Sequence, residues 1–111
     1  MTLVPTSTLI TNAQAAGHGL AAFNVITLEH IEAVVRGAEE AGTPVIVQIS
    51  ENAVKFHAGR PIPLTRAASA LAESATVGVG LHLDHVTDMA LLHQAADAGF
   101  SSAMFDAAHE T

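Results

Sequence analysis

Apolar positions along the chain follow two periods. Leu28, Ile31, Val34, Val35 and Ala38 recur at helical spacing, whereas Val45-Ile46-Val47-Gln48-Ile49 is β-branched and nearly continuous. The first pattern predicts an amphipathic helix, the second a strand buried on both faces. Thr27 is a good N-cap for that helix, with Glu29 in the first turn where the dipole favours an anion. Gly42 stops it and Pro44 prevents its return.

The same alternation extends to both sides. Thr6 to Ala16 predicts a short helix with Leu9, Ile10 and Ala13 as its stripe, Thr6 or Ser7 as its cap and Gly17 to Gly19 as its end. Leu20-Ala21-Ala22-Phe23 predicts a short buried strand closing at Asn24. Ser50 to Pro63 predicts a long polar connection broken by Gly59, Pro61 and Pro63. Leu64, Ala67, Ala68, Leu71 and Ala72 form the next helical stripe, and Val77 to Leu83 the third strand. Thr87 is expected to cap a helix carrying Met89, Leu92 and Ala96 and ending at Gly99. Ser102-Ala103-Met104-Phe105 is the fourth strand, Asp106 follows it, and Ala107 to Thr111 read as the start of a loop.

Strands alternating with helices imply right-handed crossovers and a parallel sheet. The strand markers Ala21, Val45, Val79 and Ala103 are spaced by 24, 34 and 24 residues. Such a repeat suits a (β/α)8 TIM barrel, in which roughly 250 residues make eight units. A doubly wound sheet would more often carry a Gly-rich phosphate loop after its first strand. Asn24-Val25-Ile26-Thr27 stands there instead, so the barrel is the expected α/β fold.

Composition narrows the class of function. Half of the 111 residues are hydrophobic, enough for a core, and the chain is one domain's worth at most. Net charge is −7 with only four basic residues, which argues against nucleic acid and against an anionic membrane surface as partners. The absence of cysteine excludes a disulfide framework and thiolate zinc sites. No apolar run approaches a membrane span, and Met1 to Pro5 lack the features of a signal peptide. A cytoplasmic protein is expected.

Chemistry gathers at the strand ends. Asn24, Ser50, Asp84 with His85, and Asp106 each close an apolar strand, and a parallel βα array puts all those ends on one rim. Neutral imidazole is a common metal ligand, and a carboxylate beside it can shuttle a proton on a metal-activated substrate. An isolated Asp-His pair is more often a loop cap beside a satisfied polar strand end. Adjacent strand residues also face opposite ways, so Asp84 and His85 serve one site only if the strand ends near Leu83 and the chain turns. His82 shares parity with Asp84 and can support it through a hydrogen bond. Asp106 reads equally as a metal ligand and as a loop cap. Ser50 reads as a phosphate donor or, more ordinarily, a loop residue. Lys55, His57 and Arg60 read as attraction for an anion or, more simply, as a solvated loop. His18, His30 and His93 read as helix-end or surface residues.

Four stretches, in order and at matching spacing across essentially the whole chain, carry a resemblance: Ala22-Phe23-Asn24-Val25, Pro44 to Ser50, His82-Leu83-Asp84-His85, and Ser102 to Asp106. The sequence resembles the class II, metal-dependent fructose-bisphosphate and tagatose-bisphosphate aldolases. The resemblance implies a (β/α)8 barrel with a leading helix across its bottom, and it implies roles. Asp84 matches the acid/base at the C4 hydroxyl of the sugar bisphosphate. His85 matches one of three histidines that hold zinc, and Ser50 a residue contacting the glyceraldehyde 3-phosphate portion. Asp106 matches a ligand of a second metal position, for another divalent or a monovalent cation. Reversible cleavage to dihydroxyacetone phosphate and glyceraldehyde 3-phosphate, and a homo-oligomer (dimer or tetramer), are implied for the complete enzyme. The loop Ser50-Glu51-Asn52-Ala53-Val54-Lys55 departs from the family by lacking an early Gly, which bears on phosphate contacts and substrate.

Four strands are half a barrel, and a catalytic zinc takes three protein ligands. Residues 1–111 are therefore expected to be the N-terminal part of one barrel domain, truncated after the fourth strand and inactive alone. Two other readings stand beside this one. One is a non-catalytic half-barrel that folds by pairing or dimerising. The other is a barrel lyase for a different phosphorylated sugar or keto acid.

Overall fold

The computed structural model describes residues 3–106. The loop expected for Ala107 to Thr111 lies outside the described residues. In chain order the elements are α1 (Thr6–Ala16), β1 (Ala22–Asn24), α2 (Leu28–Ala41), β2 (Val45–Ser50), α3 (Glu51–Phe56), α4 (Ile62–Ser74), β3 (Val79–Val86), α5 (Met89–Ala98) and β4 (Ser102–Phe105). The four strands form one parallel sheet in the order β1-β2-β3-β4. Sequential parallel strands joined by helices make an α/β fold with the strand order of half a (β/α)8 barrel.

The two faces of the sheet are built differently. Val45, Val47 and Ile49 of β2 and Val79, Leu81 and Leu83 of β3 are buried in one core with Ile31 and Val35 of α2, Leu64 and Ala68 of α4, and Leu91 of α5. These strand positions alternate, as a pleated strand requires. The opposite positions include Gly78 and Gly80, which lie under α1. A Cβ at Gly80 would stand 3.1 Å from Leu9 Cδ1 and 3.3 Å from Thr6 Oγ1. Glycine here lets α1 close on that face.

Most expected boundaries hold, and the exceptions have physical reasons. Thr27 caps α2, accepting from the His30 N–H, while His30 Nδ1 accepts in return from the Thr27 N–H. Gly17, Gly42 and Gly99 end their helices in the left-handed region. Neither Thr6 nor Ser7 caps α1. Pro5 holds the N-cap position, and Thr6 is buried instead. The polar connection after β2 contains a six-residue helix, α3, whose N-cap is Ser50, with its Oγ accepting from the Ala53 N–H at 3.1 Å. Asp88, not Thr87, caps α5, because the Thr87 hydroxyl is engaged by Glu51. The first strand is exposed rather than buried, being at the edge of the described sheet.

Candidate active site at the strand ends

Parallel pairing brings the predicted rim together. Asn24 is opposite Gln48, and Ser50 is opposite Asp84. After β4 the Asp106 N–H donates to the Val86 carbonyl at 2.7 Å, which keeps Asp106 at the end of β3. Asn24 Oδ1 accepts from Gln48 Nε2 at 2.7 Å.

The β3 terminus differs from expectation in an instructive way. The strand does not end at Leu83 but continues to Val86. Leu83 pairs with Ala103 and Val86 with Phe105, so two residues of β3 face one of β4. This is a β-bulge, and His85 occupies it with φ +57°. A non-glycine residue in the left-handed region is uncommon and strained. The bulge interrupts the alternation of side chains along β3, and the structure pairs Asp84 with His82 and His85 with Asp106 rather than Asp84 with His85.

Two acid–imidazole pairs result. His82 Nε2 lies 3.8 Å from Asp84 Oδ1, both side chains being mostly shielded. His85 Nε2 lies 3.4 Å from Asp106 Oδ2, with His85 well exposed. The Asp84–His82 separation exceeds hydrogen-bond range, so the direct bond expected there is not formed. Ser50 is beside Asp84 in register, its oxygen serving the α3 cap while its hydroxyl proton is left to donate. Among the described residues no three His, Cys, Asp or Glu converge as a metal cage. His85 and Asp106 supply an imidazole and a carboxylate, the donor chemistry zinc takes, but not a full set.

Glu51 is a buried residue to which the sequence reading gave no role. Its carboxylate accepts from the Thr87 hydroxyl at 2.8 Å, the Asp88 N–H at 2.8 Å and the Thr87 N–H at 3.2 Å. Burial pushes the Glu51 carboxyl up. Those three hydrogen bonds and the Lys55 charge outweigh it and hold the group below the ordinary carboxylate value. Glu51 thereby ties the start of α3 to the chain just beyond His85. The acid in the first turn after a Ser cap was the available signal. Lys55 lies 3.8 Å from Glu51, and His57 Nε2 contacts the Ile26 carbonyl, so these two residues brace the loops.

Polar strand ends on a parallel α/β sheet, with an acid beside an imidazole, are the kind of arrangement that barrel enzymes carry at the C-terminal rim of their strands. Residues 4–111 match the family model "Fructose-bisphosphate aldolase class-II". The fructose-bisphosphate aldolase of Thermus caldophilus is 41% identical over 102 residues, covering 92% of this chain and 32% of that protein. The 6-phospho-5-dehydro-2-deoxy-D-gluconate aldolase of Halalkalibacterium halodurans is 37% identical over 110 residues, covering 98% and 38%. Among solved structures, the YdjI aldolase of Escherichia coli K12 superposes with a TM-score of 0.85 at 29% identity, covering 99% of this chain and 42% of that one. The chain belongs to the class-II fructose-bisphosphate aldolase family. It spans about a third of the length of the curated relatives it matches.

Proposed function

We propose that residues 1–111 are the N-terminal part of a single-barrel, zinc-dependent aldolase that cleaves a ketose bisphosphate, fructose or tagatose 1,6-bisphosphate, to dihydroxyacetone phosphate and glyceraldehyde 3-phosphate. The observation that carries this reading is the β3 terminus, where Asp84 lies opposite Ser50 in register and His85, in the bulge, lies 3.4 Å from Asp106. Asp84 takes the proton of the C4 hydroxyl as the C4 carbonyl forms and the C3–C4 bond breaks. It returns that proton in condensation. Ser50, opposite Asp84, donates its hydroxyl proton to the phosphorylated aldehyde portion. His85 is one zinc ligand, Asp106 belongs to a second cation position, and the remaining zinc ligands come from later in the barrel. Bound zinc supplies the Lewis acidity that stabilises the negative charge left on C3. Glu51 holds the loop after His85 in place.

A second reading has its own support. The relative from Halalkalibacterium halodurans is an aldolase for a phosphorylated keto acid, and the loop after Ser50 opens with Glu51 and Asn52 rather than an early Gly. The test is a cleavage assay of the complete polypeptide on fructose 1,6-bisphosphate, tagatose 1,6-bisphosphate and 6-phospho-5-dehydro-2-deoxy-D-gluconate, with zinc content measured alongside. Cleavage of either bisphosphate, with loss of both zinc and turnover in His85→Ala, is the expected result. Cleavage of the keto acid alone favours the second reading. Full zinc and activity in His85→Ala would overturn the ligand assignment.

A further inference from the structure

A chain of hydroxyl groups crosses the face of the sheet under α1 and ends at His82. Ser101 Oγ donates to the Leu81 carbonyl at 3.3 Å. A serine has one hydroxyl proton, so toward Thr6 the Ser101 oxygen only accepts. It does so from the Thr6 N–H at 2.9 Å and from Thr6 Oγ1 at 2.9 Å. With its proton committed, Thr6 Oγ1 accepts from Ser102 Oγ at 2.8 Å. Ser102 is then committed as well, so at 2.7 Å its oxygen accepts from His82 Nδ1. Every link runs the same way, from the imidazole to a backbone carbonyl. A neutral imidazole protonated at Nδ1 has a bare acceptor at Nε2. That Nε2 is the atom 3.8 Å from Asp84 Oδ1.

We infer that His82 is a positioning residue for Asp84: α1, through Thr6 and Ser102, locks the ring in its Nδ1–H tautomer, so that the acid meets an acceptor and not a donor. The inference rests on the reading of Asp84 as the acid/base. Facing a bare Nε2, the carboxylate gains no hydrogen bond from the ring, and its oxygens are left for the substrate hydroxyl. Once the carboxyl has taken that proton, the same Nε2 is the acceptor it faces. The opposite tautomer would turn an Nε2–H toward Asp84, and a side-chain shift closing the 3.8 Å gap would then tie down the carboxylate in competition with the substrate. Gly80 is what permits the arrangement, since a side chain there would crowd Thr6 Oγ1.

The complete aldolase, labelled with ¹⁵N-histidine, provides the test. Thr6→Val removes the acceptor for the Ser102 proton at nearly constant volume, and Ser102 then donates to Nδ1 instead. Thr6→Ser keeps the hydroxyl. The His82 resonances are identified by their absence in His82→Gln. Wild type and Thr6→Ser are expected to show a pyrrole-type Nδ1 and a pyridine-type Nε2. Thr6→Val is expected to exchange the two, with kcat falling roughly tenfold and KM unchanged. An unaltered ring pattern in Thr6→Val, or an exchanged pattern with wild-type kcat, overturns the inference. Should Thr6→Val not fold, Ser102→Ala breaks the same chain; an Nδ1–H pattern and wild-type kcat there would overturn the inference equally. Asp84→Ala separates the two layers. Retained activity in that variant sinks the acid/base reading itself, whereas an inactive Asp84→Ala beside a fully active Thr6→Val removes only the role of His82.

Discussion

Neighbours along β3 live in two different environments. Leu81 and Leu83 are fully buried against the helices, while His82 and Asp84, one position away, belong to the face that α1 covers only in part. The helix-side face is a continuous apolar core shared with β2, α2, α4 and α5. The other face is a series of polar contacts: Asn24 with Gln48, His82 with Ser102, Ser102 with Thr6. One strand therefore supplies stability from its odd positions and, in the function proposed above, chemistry from His82 and Asp84 between and beyond them. His85, at the bulge, is the point where that division is broken on purpose, by a strained backbone.

Substitutions on the two faces should separate accordingly. Leu81→Ala, on the helix side, is expected to cost about 2–5 kcal/mol, read as a lowered urea midpoint at unchanged m-value. Glu51→Gln is expected to cost about 1–3 kcal/mol, since it weakens a carboxylate that accepts three hydrogen bonds. Its pH dependence sharpens the point. The Glu51 carboxyl is held below its ordinary value in the folded protein, so its contribution is complete above the unfolded value. That contribution is lost as pH falls through the folded pKa. Urea midpoints taken across the acid range should therefore fall more steeply in wild type than in Glu51→Gln. Asn24→Ala, on the polar face, should cost only about 0.5–1 kcal/mol, because its bond to Gln48 is exposed. A loss in Asn24→Ala as large as in Leu81→Ala would erase the distinction between the faces.

The helix side was largely legible in the sequence. Periodicity at Leu28 to Ala38 and the unbroken run at Val45 to Ile49 report burial directly, and Thr27, Gly42 and Gly99 mark ends through local backbone chemistry. The polar side was legible only where it coincides with strand ends. Six residues are too few to show a helical period, which hid α3 among Gly59, Pro61 and Pro63. Ala22 and Phe23 stand exposed because β1 is an edge of the four strands described, and closing the sheet into a barrel would remove that edge. The bulge at His85 was invisible, since no local residue signals a left-handed histidine. The Thr6–Ser102 and Glu51–Thr87 contacts join residues 96 and 36 apart, beyond any local pattern.

The claim that the even positions of β3 carry the reaction rests most directly on Asp84. Turnover, zinc content and urea midpoint of the complete aldolase should be measured together for Asp84→Ala, with Leu81→Ala as the partner from the opposite face. The account predicts that Asp84→Ala loses roughly 10²–10⁴-fold in kcat, keeps its zinc and stays within about 1 kcal/mol of wild-type stability. Leu81→Ala should show the converse while it remains folded. Wild-type turnover by a zinc-loaded Asp84→Ala would contradict the account.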